Sequence, residues 1–532
     1  MKIISLRIIE ADSCGGLLDG LFISFRHENA DTQKFDPICL IGPNGSGKSQ
    51  LLQVVAEIFQ TIFNKYTSTE ERGIANEGVN FEIEYLITYN NNITHVKAER
   101  LPREKRKPEI NISILDNGLW KKLTTPSEIE PFLPKKVIGY TSGANETLSL
   151  PFFSSRAGYA KEVRESALNP KQRTQTIPDP RLILIDYSTN LEVLVSNLLL
   201  NPDAINNEIL TNLNLKSLHS FRCVIQLNHA EAPGKDGILL TQELETYIDN
   251  LKSIATCFDY DKRNNSYIFD FLINRSTKEG FHHYWSTGAL DLYSCFHKLA
   301  MLNDLIISRT ARKIFTNSIK ERRFASRLPE PFDDHKVFRF ERVEFLSNKT
   351  GKIVDYVSLS DGEHQLAQLL GIFCMASFPD VLFLLDEPES HFNPQWRTKF
   401  ISKLMTLPIN NDGDNRSKPS SASKQECLIT THSPFVPSDM SSDNVLIFQK
   451  DLTSQFVSTR KPRIETYGST FDSILAECFG IDPPMSELPL QEINELLESN
   501  DKEKILEAMK RLGDSVEKLY LADRVRSLEL ER

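Results

Sequence analysis

Gly42-Pro43-Asn44-Gly45-Ser46-Gly47-Lys48-Ser49 decides the fold class. An apolar run, residues 37–41, leads into it. An amphipathic stretch, residues 48–63, leads out, with Leu51, Leu52, Val55, Ile58, Phe59 and Ile62 on one face. Strand, Gly-rich loop and helix in that order make an anion cradle: the glycines let backbone N–H groups wrap phosphate, and the helix N-terminus adds positive potential. Gly42, Pro43, Asn44, Gly45, Ser46 and Gly47 form the cradle. The Lys48 ammonium is set to meet the β- and γ-phosphates of ATP, and the Ser49 hydroxyl to ligate Mg²⁺. A chance Gly-rich turn would not carry both the spacing and the flanks.

Three further stretches complete the site by the same reasoning. Val381–Leu385 is a continuous apolar run of the kind a buried parallel strand requires. Asp386 at its end is placed to hold Mg²⁺ through water, and Glu387 after it to take a proton from, or orient, an attacking water. Another apolar strand, 427–429, runs into Thr430-Thr431-His432-Ser433-Pro434, where His432 can donate to a γ-phosphate. Ser358-Leu359-Ser360-Asp361-Gly362-Glu363-His364-Gln365 precedes an apolar helix over 366–377. Small residues at Ser360 and Gly362 leave donors free at that helix N-terminus, so Ser358, Ser360, Gly362 and Glu363 are read as ATP contacts. An ordinary helix cap is the bland reading of 358–365, and a structural histidine that of His432.

The chain around these motifs is that of a large globular protein. It has 532 residues, 40% hydrophobic and 25% charged, with net charge −10. That charge argues against a histone-like nucleic-acid binder while leaving room for a local basic groove. Two basic stretches are candidates for DNA contact: Lys97, Arg100, Arg103, Lys105, Arg106 and Lys107, and Arg309, Arg312, Lys313, Lys320, Arg322 and Arg323. Solvated surface is the competing reading of both. Eight scattered cysteines without a CxxC pair argue against zinc or a disulfide framework. No apolar run is long enough for a bilayer, and the chain opens on a strand pattern, so the expected location is cytoplasmic, with no membrane partner.

Alternation at Phe81, Ile83, Tyr85 and Ile87, and at Ile110, Ile112 and Ile114, predicts antiparallel strands, the second running into the Asp116-Asn117-Gly118 turn. A long insertion separates Lys48 from Ser358, with helices expected over 242–258, 290–312 and 313–323 and no sustained heptads. Val337, Phe340, Val343 and Phe345 read as the return to the sheet. Residues 410–425 read as a polar surface loop. Three short amphipathic helices close the chain, with Asp514 available to cap the third. The expected organisation is an N-terminal ATPase lobe (1–154), a mainly helical insertion (155–335), a C-terminal ATPase lobe (336–484) and a helical tail (485–532).

Together these residues resemble the ABC-type ATPases of the SMC, RecF and OLD group. Within it they are most similar to the ATPase subunits (PtuA) of Septu-type antiphage defence, including retron-associated ones. Cys14-Gly15-Gly16-Leu17-Leu18-Asp19-Gly20, Ile138–Glu146 and Asp386–Pro394 carry that closer likeness. Asp361 and Glu363 depart from the group's familiar signature, and Asn145 or Glu146 stands where its Q-loop glutamine would. The resemblance implies an α/β fold: an ABC-type P-loop ATPase head with a mixed sheet, the insertion and the tail. It implies ATP and Mg²⁺ as cofactors, Glu387 and His432 as catalytic residues, Ser49 and Asp386 as metal ligands, and ATP sandwiched between the 42–49 loop of one chain and the 358–365 signature of another. Implied partners are a second copy (a homodimer or a multiple of dimers), an HNH nuclease subunit (PtuB-like), and a retron reverse transcriptase with its DNA. With no DxD pair after the last strands, the chain is expected to carry no nuclease site. A RecF- or SMC-like DNA-repair ATPase, a transporter subunit and a nucleotide-binding scaffold with little turnover are the competing classes.

Overall fold

A computed structural model of the chain describes residues 1–27, 35–90, 92–103, 108–143, 146–186, 189–229, 237–320, 331–376, 378–406, 425–451 and 456–530. The polar loop at 410–424, Asn145, Lys105, Arg106, Lys107, Arg322 and Arg323 lie outside the described residues.

The architecture is mixed α/β with three sheets. The central one has seven strands, in spatial order Val457–Arg460, Val445–Lys450, Ile38–Ile41, Glu426–Thr431, Val381–Asp386, Lys136–Thr141 and Leu182–Ile185. All run parallel except Val457–Arg460, which pairs antiparallel with its neighbour. Four of them, Ile38–Ile41, Val381–Asp386, Glu426–Thr431 and Leu182–Ile185, are buried along their whole length. Burial on both faces is why these strands read as unbroken apolar runs. Their alternate residues serve two cores. Leu382 and Leu384, with Ile38, Leu40 and Leu428, face the helix Lys48–Tyr66 and an antiparallel sheet. Val381, Phe383 and Leu385 face the helices Asn190–Leu200, Ala289–Met301 and Asp361–Met375.

The second sheet has six antiparallel strands in the order Phe22–Ser24, Lys2–Ala11, Val79–Tyr89, Asn92–Arg100, Ile110–Asp116 and Leu119–Leu123. The predicted turn is there: Asp116 pairs with Leu119, and Asn117 and Gly118 take φ of 50° and 79°. Two successive positive φ values match the strand twist of a two-residue hairpin.

The insertion differs from expectation. Helices make up most of it, but it also contributes Leu182–Ile185 to the central sheet and three strands to a third sheet, Cys257–Asp261, Ser266–Leu272 and Leu215–Gln226, which Phe338–Ser347 and Ile353–Asp355, from the expected C-terminal lobe, complete. The helix expected to reach 258 stops at Ile254, and an edge strand begins at Cys257. The 290–312 stretch is the helix Ala289–Met301, a 3-10 turn Leu302–Ile306 and the start of Arg309–Lys320. The 337–345 segment returns to this insertion sheet, pairing with Leu215–Gln226, and not to the central one.

The tail helices are Glu487–Glu498, Lys502–Arg511 and Val516–Leu530. They share a small apolar cluster of their own, built on Ile493, Leu496, Ile505, Ala508, Leu521 and Val525. Ser515, not Asp514, accepts from the Lys518 N–H at the start of the third, and Asp514 pairs with the Lys518 ammonium instead. No helix among the described residues is long and apolar enough to cross a membrane.

Candidate active site

The parallel strands end together. Ile41 lies opposite Thr431, Asp386 opposite Thr430 on one side and Thr141 on the other. Loops leaving the carboxyl ends of such strands form the crevice where ligands of open α/β sheets bind. Here those loops are 42–49, 387–391, 432–434 and 142–143.

The Gly loop is shaped by its neighbours. Gly42 has φ 146°, and a Cβ on it would sit 2.4 Å from the Phe448 carbonyl oxygen. Gly47 has φ 92°, and its Cβ would meet Leu18 at 2.8 Å. Neither place admits another residue without movement of backbone or core. The Leu17-Leu18 segment of the opening motif is thus part of the floor under the loop. Lys48 opens the helix Lys48–Tyr66 and donates from Nζ to the carbonyls of Gly42 (2.8 Å) and Pro43 (3.0 Å). Ser46 is buried, and its hydroxyl has no hydrogen-bond partner among the described residues.

Ser49 and Asp386, far apart in sequence, meet: the Ser49 hydroxyl donates to Asp386 Oδ1 at 2.8 Å. Thr430, to which the sequence reading gave no role, donates to the same oxygen at 2.6 Å. Hydroxyl and carboxylate oxygens converging from two strand ends and the first turn of the helix Lys48–Tyr66 are the hard donors that Mg²⁺ takes, so the residues present fit that ion.

Glu387 stands on a constrained turn. Its φ is 47°, a left-handed conformation costly for a residue with a side chain. Its N–H donates to the Thr430 carbonyl (3.2 Å) and hydroxyl (3.1 Å), which hold it there. Its carboxylate lies 3.2 Å from His432 Nε2. The hydrogen bond from His432 holds the Glu387 carboxyl below the usual carboxylate range, against partial burial and with Lys48 helping, so it is an anion at neutral pH. His432 is thus brought to Glu387, with which the sequence reading had not paired it.

Burial brings Lys48 down to about 8, against the opposing pull of Glu387 and Asp386. Below that pH the ammonium is present; above it a growing fraction is neutral and has no charge to offer phosphate. Affinity for ATP should therefore weaken as pH rises through about 8, by about tenfold between pH 7 and pH 9 for a single linked proton. Calorimetric titration across that range checks this, and a flat affinity would contradict it.

The signature segment differs from the expectation of free donors. Ser360 caps the helix Asp361–Met375 in a capping box: its N–H and hydroxyl both donate to Glu363 Oε2 at 2.8 Å, and the Glu363 N–H reaches back to Ser360 Oγ. Ser358 donates to the Asp355 carbonyl at 2.6 Å. Gly362 is needed for packing, since a Cβ there would lie 2.8 Å from the His391 carbonyl oxygen and 3.4 Å from Trp396. Ser358, Ser360 and Asp361 are exposed. One turn further, Gln365 donates to the Ser142 carbonyl at 2.7 Å, tying the signature helix to the loop after Lys136–Thr141. Glu146 of the resemblance begins the helix Glu146–Leu168.

The first basic stretch is partly spent within the fold. Arg100 is buried and donates to the Asn76 carbonyl, Lys97 lies between Glu82 and Glu99, and Arg103 pairs with Glu109. These residues read better as structure than as a phosphate groove. Of the second stretch, Lys313 is exposed.

A protein-family model described as "AAA domain, putative AbiEii toxin, Type IV TA system" matches residues 232–439. That span holds the signature, Asp386, Glu387 and His432, while the Gly loop precedes it. No curated protein matches the chain. The match covers less than half of the chain, and with the strand–Gly loop–helix unit before it supports a P-loop ATPase domain.

Proposed function

We propose that this chain is the ATP-binding and hydrolysing subunit of a bacterial antiphage defence complex, and that its nucleotide state controls an associated HNH nuclease. The observation that carries the ATPase part is the 2.8 Å contact between Ser49 and Asp386, which unites the two halves of a phosphate-transfer site. In this reading Lys48 binds phosphate charge, the Gly42–Gly47 backbone cradles it, and Ser49 with Asp386 holds Mg²⁺. When bound, the ion neutralises charge developing on the phosphate oxygens. Glu387, anionic and held on its turn, accepts the proton of the attacking water; His432, within hydrogen-bond reach, orients that carboxylate and donates to the γ-phosphate. The strand Glu426–Thr431 lies between the Gly-loop strand and the Asp386 strand, which supports an ABC-type head made of the 1–154 and 336–484 lobes. The exposed positions of Ser358 and Ser360 favour a site completed by a second copy, whose approach would have to open the Ser360–Glu363 cap. A cytoplasmic location follows from the defence role.

The partner reading rests on resemblance and on the tail. Leu488, Leu519, Tyr520 and Leu530 stay exposed, outside the apolar cluster that the tail helices share, and exposed apolar groups of this kind favour a protein partner. Co-expressed HNH subunit should co-purify with the chain, and deleting 486–532 should remove it or reduce the assembly mass while leaving ATP binding intact. Light scattering and pull-down decide. Unchanged mass with unchanged capture would refute the role of the tail, and no capture by the full chain would refute the nuclease partnership.

A further inference from the structure

Glu389 follows the Asp386–Glu387 pair by one turn, yet its side chain is 2% exposed. Carboxyl groups are almost never so buried unless paired. The Thr431 hydroxyl donates to its Oε1, and its Oε2 has no hydrogen-bond partner among the described residues. Cys39 and Tyr140, on the flanking strands, are driven toward their neutral forms by burial and offer it no charge. Burial raises the Glu389 carboxyl to about 7, with Glu387 pushing the same way and Arg397 against. The Thr431 oxygen that serves Glu389 also accepts the Ser433 N–H at 2.9 Å. Between these two residues is His432, whose Nε2 lies 3.2 Å from Glu387. The chain of contacts runs from Glu389 through Thr431 across the turn that carries His432.

We propose that Glu389 is a positioning residue of this site: through Thr431 its buried carboxyl fixes the 431–433 turn and so sets the His432 ring against Glu387. The proposal rests on the ATPase reading above. A general base held on one side by a hydrogen bond depends on the placement of its partner, and displacements of about 1 Å in such groups can cost about a hundredfold in rate. The neutral form of the acid and an amide serve Thr431 equally, since both offer a carbonyl oxygen to its hydroxyl.

The test measures kcat and KM for ATP, with thermal unfolding as the control for folding. Variants are Glu389→Ala, Glu389→Gln, Thr431→Val, His432→Ala and the double variant of Glu389→Ala with His432→Ala. Glu389→Ala and Thr431→Val should lower kcat by about tenfold or more with KM within about twofold. Glu389→Gln should restore kcat to within about threefold of wild type. The double variant should be no slower than His432→Ala alone, because residues acting through one another are not additive. Full additivity, an unchanged kcat in Glu389→Ala, or a Gln variant no better than Ala would each overturn the proposal. If Glu389→Ala does not fold, Thr431→Val combined with His432→Ala completes the same cycle. Wild-type protein without turnover would overturn the ATPase reading itself, and that control tells the two failures apart.

Discussion

Glu387→Gln should bind ATP as tightly as wild type and hydrolyse it at least about a hundredfold more slowly. The amide keeps the shape of the side chain, and its oxygen can still accept from His432 at the 3.2 Å position. It cannot take a proton. The backbone that presents it is unaffected, since the hydrogen bonds that secure the left-handed turn come from the Glu387 N–H to Thr430. In the proposed site binding rests elsewhere, on the Gly loop and Lys48. A loss confined to kcat therefore separates the roles, and rapid-quench measurement of phosphate release resolves them. Turnover at the wild-type rate would remove Glu387 from the mechanism.

Mixing two inactive variants should restore activity. Lys48→Ala damages the Gly-loop half of the proposed shared site, and Ser360→Arg the signature half. In a mixed dimer one composite site carries both defects and the other carries neither. Random pairing then yields about a quarter of wild-type turnover from two inactive preparations. Ser360 is also the N-cap of the helix Asp361–Met375, so circular dichroism must show that Ser360→Arg keeps its fold; loss of such a cap typically costs about 1 kcal/mol. No recovery, despite subunit exchange shown by differently tagged chains, would place the whole site within one chain.

What was readable in the sequence was set by periodicity and by backbone demand. The run Val381–Leu385 reads as a buried strand because both of its faces are covered, and the structure buries all of it. The glycines at 42 and 47 read as a loop because positive φ leaves few alternatives. Asp116-Asn117-Gly118 gave its turn for the same reason. Of the insertion sheet only the 337–345 strand was readable, and its partner was not. Leu215–Gln226 pairs with Phe338–Ser347 through three register shifts, which break the period-two signal across the pair. Cys257–Asp261 is an exposed edge strand whose burial does not alternate, and its period-two run, Phe258 to Asp261, is only four residues long.

Within the site, contacts between distant segments were the hidden part. Thr430 and Thr431 look alike in sequence, but alternation along a strand turns one toward Asp386 and the other toward Glu389. Glu389 reads as one more acid in an acidic loop, and only burial shows it facing inward. The pattern Ser360-Asp361-Gly362-Glu363 satisfied two readings at once, a phosphate contact and a capping box; the structure forms the second.

The most direct test of the whole account is phosphate release from Mg²⁺·ATP by the purified chain, measured beside Lys48→Ala and with EDTA. Turnover should stop with either treatment, and ATP binding should weaken by about a hundredfold in Lys48→Ala, which loses the ammonium placed to meet phosphate charge. Equal affinity and equal phosphate release in wild type and Lys48→Ala would contradict it, because the 42–49 loop would then not be where the nucleotide is held.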